Sequence, residues 1–243
     1  MSKRKGGNPR VSVQDELSES ISNLDKARIR KIIRANPSIC TSKGFYPLIE
    51  LMYFGGAGYH RIYRLDDVFE IGDILINEGK VDVNSVDSSI TCTTALSIAA
   101  IAGSLEKIEY LLDRGAEAYS ERWKITAESY PLFMAIRHSN KYAVELLLSH
   151  GADPNATEKE SGNSTFYHAI NISNNYIQQR YDICKVLLEM GARVNQQCFY
   201  FDKSQRKNVR GSALSYALSV AGDDKDLIRL LKQSGGIGRI AEV

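Results

Sequence analysis

Apolar residues recur at helical spacing in short stretches of this chain, and each stretch is followed by a glycine. The clearest stretch has apolar side chains on one helical face, at Leu105, Ile108, Leu111 and Leu112. Gly115 follows it, since a residue past a helix end often takes left-handed backbone angles that glycine adopts without steric cost. A shorter apolar stretch, 94–100, precedes it. The pattern therefore predicts a unit of helix, turn and helix.

The same unit recurs about five times along the chain. A glycine after a pair of apolar residues marks each copy, at Gly79, Gly115, Gly151, Gly191 and Gly235. Gly115 and Gly151 are 36 positions apart, and Gly151 and Gly191 are 40 apart. A two-helix unit of this size cannot bury its apolar face alone, so neighbouring units must stack. The repeats therefore predict an all-α fold, an elongated solenoid of stacked helix–turn–helix units with long loop insertions.

Two phrases in these units carry a family resemblance. Residues 147–155 run Leu-Leu-Ser-His-Gly-Ala-Asp-Pro-Asn, and 81–84 and 193–195 repeat the end of this phrase. The upstream stretches, such as 94–100, are similar to the Thr-Pro-Leu-His-x-Ala phrase of ankyrin repeats. The chain is thereby identified as a member of the ankyrin-repeat family, with degenerate repeats from about Phe45 to Gly236.

One departure from the family pattern concerns its histidine. The equivalent positions hold Ile49, Ser97, Phe133, Tyr167 and Ser215. The resemblance therefore implies that the hydrogen bonds which this histidine usually makes between repeats are largely missing.

Four segments are expected along the chain. They are a disordered basic tail over 1–16, an N-terminal capping helix over 17–40, an ankyrin-repeat domain over 41–238 and a C-terminal tail over 239–243. Three insertions lengthen the repeats, at 55–64, 176–180 and 198–210. Insertions into stacked repeats form loops, where binding residues tend to lie.

Composition narrows the class of function. The 31 Lys and Arg against 29 Asp and Glu leave a formal net charge of +2, which disfavours nucleic acid as the main partner. The start of the chain lacks the apolar segment of a classical secretion signal, and the longest apolar run, 95–103, is too short to span a bilayer. Four widely spaced cysteines suggest buried thiols in a reducing compartment. We therefore expect an intracellular protein, cytoplasmic or nuclear, without a membrane partner.

The family resemblance implies a binding surface on the concave side, built from loop tips and the exposed sides of the first helices. On this chain those positions are Arg122, Trp123, Lys124, Arg137, His138, Glu158, Lys159, Asn163 and Asn171. We add the aromatic run Phe199, Tyr200 and Phe201. A secondary site is expected in the first insertion, at Tyr59, His60, Arg61 and Tyr63.

Two of these groups have an alternative interpretation. Trp123, the only tryptophan, either forms an interface anchor or packs over its own loop. The aromatic run 199–201 precedes the basic loop 203–210, which suggests a stacking platform for single-stranded nucleic acid. We favour the other interpretation, in which the aromatic side chains pin the long loop and its charges remain solvated.

No catalytic or metal-binding motif is found. The four histidines, His60, His138, His150 and His168, have no nucleophile or carboxylate set beside them in sequence, and no phosphate-binding loop or zinc motif is present. We therefore expect a non-enzymatic, monomeric module without cofactor that binds an intracellular protein. The alternatives are a viral or bacterial effector or inhibitor that occupies a host or enzyme complex and, less favoured, a nucleic-acid binder through 203–210.

Overall fold

The structure is a computed structural model that describes residues 11–53, 63–88, 93–120, 130–159, 161–202 and 207–237. The chain divides into two compact units, Met1–Ser85 and Val86–Val243. Both units are built mainly from short helices. The insertion residues Tyr59, His60 and Arg61 lie outside the described residues, as do Arg122, Trp123 and Lys124.

The first unit contains four α-helices in its described part. They are α1 (Val13–Ser22), α2 (Lys26–Ala35), α3 (Pro47–Tyr53) and α4 (Leu65–Asp73). A 3₁₀ turn, Ile39–Thr41, precedes α3, and α4 continues as a π-helix, Ile74–Glu78. The core includes Leu17, Ile29, Leu51 and Ile71, none of which is exposed to solvent.

The start of α1 corrects the predicted N-terminal segment. Ser12 Oγ accepts a hydrogen bond from the Asp15 amide, and the Asp15 carboxylate accepts one from the Ser12 amide, each at 3.1 Å. This reciprocal cap satisfies two amides that would otherwise lack partners, so the helix begins at Val13. The disorder predicted as far as residue 16 is therefore wrong for 13–16, and the predicted single capping helix is a pair, α1 and α2.

Gly79 also differs from the expected helix-ending glycine. Its φ is −79°, while the next residue, Lys80, takes the left-handed φ of 57°. The π-helix explains the shift, because the Gly79 amide bonds to Ile74, five positions back, instead of four. A Cβ on Gly79 would lie 2.7 Å from the Leu75 carbonyl oxygen and 2.9 Å from Cys40 Sγ. Glycine is thus required here by close packing.

The second unit contains four helix pairs in its described residues. They are α5 (Ala95–Ala102) with α6 (Leu105–Asp113), α7 (Pro131–Arg137) with α8 (Lys141–Ser149), α9 (Thr165–Ile170) with α10 (Ile177–Glu189), and α11 (Ala213–Val220) with α12 (Lys225–Gln233). The first helices pack in the order α5, α7, α9 and α11, and the second helices in the order α6, α8, α10 and α12. This is the stacking predicted from the repeat.

Loops before the first helices form small antiparallel contacts. Single bridges join Val86 to Thr94 and Thr157 to Ser164. Before α11 the same kind of loop is enlarged into a hairpin, in which β1 (Cys198–Asp202) pairs with β2 (Lys207–Gly211). The segment 198–210, expected as an irregular loop, is therefore mostly a β-hairpin. The three consecutive aromatic residues of β1 favour a strand, which helical periodicity alone does not reveal.

Asparagine side chains connect consecutive repeats. The Asn155 amide nitrogen donates to the Gly191 carbonyl at 3.2 Å, and its oxygen accepts from the Arg193 amide at 2.7 Å. Asn195 makes the same two bonds to the next repeat, with Gly235 at 3.0 Å and Ile237 at 3.0 Å. Inter-repeat hydrogen bonding is therefore supplied by the last residue of the Asp-x-Asn phrase and its equivalent, despite the missing histidine.

We predict that Asn155→Ala lowers the free energy of unfolding by about 1–2 kcal/mol, because two inter-repeat hydrogen bonds are lost at once. Chemical denaturation followed by circular dichroism measures the change. The exposed Gln197→Ala is the control and is expected to shift it by less than about 0.5 kcal/mol. Equal stabilities of the two variants would contradict the role of the asparagine bonds.

Candidate partner-binding groove

A series of aromatic rings crosses the second unit from one repeat to the next. We call this series the aromatic column: Tyr119, Tyr130, Phe133, His168, Tyr167, Tyr216 and Tyr200. Successive ring centroids are 5.8, 4.8, 4.5, 5.4, 4.9 and 4.9 Å apart. These distances are within the range for favourable ring pairs. The column therefore joins the first helices α7, α9 and α11 to the hairpin.

Two members of the column occupy the position of the family's histidine. Phe133 and Tyr167 lie in the first turns of α7 and α9, at positions where the ring faces the next repeat. Their rings replace a hydrogen-bonding side chain by packed aromatic surface. Tyrosine hydroxyls add polar contacts, because Tyr130 donates to the Asp153 carbonyl at 2.9 Å and Tyr216 donates to Asn171 Oδ1 at 3.2 Å.

A groove of two adjoining cavities lies beside this column. The Glu158 cavity, of about 360 Å³, is lined by Arg137, Glu158, Asn163, Tyr167, His168, Asn171, Ile172 and Ser173. The Tyr176 cavity, of about 330 Å³, is lined by Arg137, His138, Ser139, Ser173, Tyr176 and Gln179. Arg137 and Ser173 line both cavities, so the two adjoin, and together we call them the groove.

Glu158 and His168 form the polar floor of the Glu158 cavity. The His168 Nε2 atom is buried and lies 3.2 Å from Glu158 Oε1, although the two are not aligned as a hydrogen bond. Burial opposes ionisation of Glu158, but its contacts with His168, Ser161 and Asn163 outweigh this effect and hold its pKa below the ordinary value. Glu158 is therefore ionised at neutral pH.

The hairpin packs against the loop that bears Glu158. The Phe199 amide donates to Asn163 Oδ1 at 3.0 Å, and the Phe199 ring lies so close to Gly162 that an added Cβ would approach it to 2.8 Å. The Arg210 guanidinium lies 4.6 Å from the Phe199 ring centroid, and the Tyr200 ring packs on Tyr216. These two aromatic side chains thus hold the hairpin in place, and the side chain of Phe201 lies outside the described residues.

The insertion before α10 forms one wall of the groove. Residues 176–180, expected as a loop, belong instead to a 3₁₀ turn, Asn174–Tyr176, and to the extra length of α10. Arg180, only 3% exposed, donates to the Ile172 carbonyl at 2.5 Å and to Asn174 Oδ1 at 2.7 Å. Its guanidinium also lies 3.6 Å from the buried Asp224 carboxylate at the start of α12. These contacts of Arg180 hold the 3₁₀ turn and the start of α10 in place.

Five of the predicted binding residues line this groove: Arg137, His138, Glu158, Asn163 and Asn171. Lys159 is exposed on the same loop but lines neither cavity, and Tyr63 lies half-buried in the first unit. The groove residues that sequence reasoning missed are Ser139, Tyr167, His168, Ile172, Ser173, Tyr176 and Gln179. The length of the insertion signalled Tyr176 and Gln179, whereas nothing in the sequence indicated that His168 faces Glu158.

Comparisons with known proteins agree with this geometry. Residues 120–198 match the family model "Ankyrin repeats (3 copies)". This chain contains ankyrin repeats. It is 34% identical over 121 residues to a putative ankyrin repeat protein of fowlpox virus (strain NVSL), covering 50% of this chain and 33% of that protein. It is 28% identical over 116 residues to a palmitoyltransferase of Lachancea kluyveri, covering 48% of this chain and 15% of that protein.

Solved structures show the same ankyrin-repeat fold. The ankyrin repeat domain of Bcl-3 superposes with a TM-score of 0.62 at 21% identity, covering 96% of this chain and 89% of that one. An ankyrin repeat domain from Acinetobacter baumannii AYE gives a TM-score of 0.65 at 20% identity, covering 90% and 97%. At these identities the ankyrin-repeat chain shares the fold with them, and the all-α repeat architecture expected from the sequence is confirmed.

We predict that Phe133→Ala lowers the free energy of unfolding by about 3–5 kcal/mol, because it removes a fully buried ring from the middle of the aromatic column. Tyr142→Ala is the control: its side chain is 66% exposed, and we expect a change under about 0.5 kcal/mol. Urea denaturation gives both values. A loss below about 1 kcal/mol for Phe133→Ala would show that the column does not stabilise the stack.

We predict that the stabilising effect of Glu158 disappears in acid. Because its folded pKa is lower than the ordinary 4.5, the folded protein binds fewer protons than the unfolded chain just below that pH. The effect is therefore complete above about pH 4.5 and lost as the pH falls through the lower folded pKa. The difference in unfolding free energy between wild type and Glu158→Gln should shrink between about pH 5 and about pH 3. A difference that stays constant over this range would contradict a lowered pKa for Glu158.

Proposed function

We propose that this chain is a non-enzymatic binding module that holds an intracellular protein through the groove and the loops around it. Ankyrin repeats generally mediate interactions between proteins. The observation that supports the groove in particular is the convergence of Arg137, His138, Glu158, Asn163 and Asn171 on its two cavities. Residues 122–124 and 201 remain predicted members of the same surface.

The groove suits recognition better than catalysis. His168 lies 4.5 Å from the Phe133 ring and 5.4 Å from the Tyr167 ring, so its imidazole is a packed member of the aromatic column. The Glu158 carboxylate accepts a hydrogen bond from the Ser161 hydroxyl and lies beside the His168 ring. The similarity to the palmitoyltransferase extends over only 15% of that protein and supplies no basis for the same activity here. We therefore propose that the chain has no catalytic residues of its own.

Two alternative functions were expected from the sequence, and the structure and the comparisons bear on each of them. An effector or inhibitor role is compatible with the similarity to a fowlpox virus protein, and it would use the same groove to occupy a host or enzyme complex. A nucleic-acid platform at 199–210 has less support, because Phe199 and Tyr200 already pack against Arg210 and Tyr216. As to a membrane, no helix in the described part of the chain has the length and apolar character needed to cross one.

We predict that Arg137→Ala combined with His138→Ala abolishes binding of at least one cellular protein. Wild type and variant are immobilised, incubated with nuclease-treated lysate and compared by quantitative mass spectrometry. We expect one or a few proteins to be depleted about tenfold or more on the variant, since a few side chains carry most of the affinity of an interface.

The matched control is Lys185→Ala combined with Glu189→Ala, which removes an exposed ion pair of 3.8 Å on α10 and leaves the groove intact. It should retain the same proteins as wild type. Identical sets of proteins on all three samples would place the binding surface elsewhere. A parallel capture on wild type from untreated lysate tests the nucleic-acid alternative, which is favoured if every captured protein is present there and absent from the nuclease-treated sample.

A further inference from the structure

The two cavities of the groove differ in charge. Arg137, His138, Ser139, Ser173, Tyr176 and Gln179 line the Tyr176 cavity, and none of these described lining residues is acidic. The acidic side chain of the groove, Glu158, lies in the other cavity. The Tyr176 cavity therefore combines a cation with hydrogen-bonding groups and one aromatic ring.

Two exposed apolar residues stand side by side in the sequence at this cavity: Tyr176, which lines it, and Ile177, which follows. Tyr176 is 50% exposed and the next residue, Ile177, is 49% exposed. An aromatic side chain close to an arginine is typical of the anchors that dominate protein interfaces. Both apolar residues belong to the insertion that distinguishes this repeat from its neighbours, so the pair is a property of this chain and not of the repeat in general.

The wall that carries Tyr176 is held firmly. Arg180 bonds to Ile172 and Asn174, on either side of Ser173, and its guanidinium faces Asp224 of the following repeat. Tyr176 itself ends the 3₁₀ turn, and its amide bonds to the Ser173 carbonyl at 2.9 Å. A wall fixed in this way loses little conformational entropy when a partner binds.

Another lining residue of the Tyr176 cavity, Ser139, has a strained backbone. Ser139 takes a left-handed φ of 57°, while Gly103 takes the equivalent φ of 69° in the turn of the preceding repeat, 36 positions earlier. A residue other than glycine is disfavoured in this conformation, and such residues cluster at binding sites. Ser139 lines the cavity, and its side chain carries a hydroxyl that a glycine at this position would lack.

We infer that the Tyr176 cavity binds a peptide segment of the partner in which an acidic side chain stands next to an aromatic or aliphatic one. This inference rests on the proposed function. The carboxylate of the segment pairs with Arg137 and accepts hydrogen bonds from Ser139 and Gln179. Its apolar neighbour packs on Tyr176 and Ile177, which removes their exposed surface from water.

His138 is a hydrogen-bond donor for the same carboxylate. Burial, and then the neighbouring Arg137, lower the pKa of His138 below its ordinary value. The imidazole is therefore mainly neutral at pH 7 and donates through one ring nitrogen. The positive charge that attracts the carboxylate thus belongs to Arg137.

The charge of the adjoining cavity favours a peptide over a nucleic acid. A nucleic-acid strand carries a phosphate at every nucleotide, and binding it requires several cations along one track. Here the ionised Glu158 carboxylate lies in the next cavity of the same groove. A peptide with one carboxylate beside an apolar side chain suits Arg137 and Tyr176. It places no further negative charge next to Glu158.

The test is a selection from a phage library of random twelve-residue peptides against the whole wild-type chain, with soluble Arg137→Ala/Tyr176→Ala protein present in excess as competitor. We expect the selected peptides to contain Asp or Glu beside an aromatic or aliphatic residue more often than the unselected library. A synthetic copy of the most enriched peptide should bind Arg137→Ala and Tyr176→Ala about tenfold more weakly than wild type, and its affinity should fall with added salt.

Two variants serve as matched controls. Arg193→Ala removes an exposed arginine and Tyr142→Ala an exposed tyrosine, both from the same unit and neither from the groove lining. Each should change the affinity of the peptide by less than about twofold. Circular dichroism melts of all five variants, the double variant included, establish that a loss of binding is not a loss of folding.

The outcomes separate the inference from the proposed function. Selected peptides that depend on Arg137 and Tyr176 but are basic or uncharged overturn the acidic assignment and leave the groove as a protein-binding site. Failure to select any peptide that distinguishes wild type from the double variant overturns the inference, while the proposed function is decided separately by the capture of cellular proteins on Arg137→Ala/His138→Ala. Displacement of the peptides by a single-stranded DNA oligonucleotide, with the same dependence on Arg137, overturns the choice of a peptide in favour of nucleic acid.

Discussion

Contact between consecutive first helices is the interaction on which the rest of the second unit depends. A pair of short helices exposes an apolar face that only the next pair covers, and between α7, α9 and α11 aromatic rings form part of the covering surface. The ring of Phe133 meets His168 at 4.5 Å, and Tyr167 stacks on Tyr216 at 4.9 Å. Because the helices themselves have only six to eight residues, their position is set by this packing more than by helix propensity.

The same packing places the candidate binding residues. Arg137 and His138 follow the end of α7, Asn171 follows the end of α9, and the loop with Glu158 and Asn163 precedes α9. Stacking α7 on α9 brings these three segments to one groove. The hairpin then closes on the loop through Phe199 and Asn163, so that an insertion more than 30 positions away in sequence supports the floor of the groove.

The insertion into the fourth repeat adds a wall to the groove that a repeat of standard length would lack. A repeat of standard length would end the groove at the turn between its helices. Here the 3₁₀ turn and the longer α10 extend a wall beyond that point, with Tyr176 exposed on it and Arg180 buried beneath it. A buried guanidinium is tolerated only with partners, and its bonds to Ile172 and Asn174 meet that requirement while they shape the wall.

Much of the fold was determined by local sequence. Apolar spacing predicted the helix pairs, and the glycines at 115, 151, 191 and 235 adopt the left-handed angles expected after a helix. Local rules also explain two errors after the fact: the capping pair Ser12 and Asp15 begins a helix inside the predicted tail, and the π-helix before Gly79 moves the left-handed position to Lys80. These features depend on residues within a few positions of one another, so a single sequence contains the information.

The assembly of the groove could be seen only in the tertiary structure. Five of its residues were predicted because the family resemblance assigns binding to loop tips and first helices, but their meeting with Tyr176, Ser173 and His168 was not. Three kinds of contact join residues from different repeats: the ring-to-ring contacts, the hydrogen bonds of Asn155 and Asn195, and the pairing of Arg180 with Asp224. Sequence spacing determined which residues share a helix face; only the stacking of whole repeats decided which faces meet, because that choice is made by long-range packing.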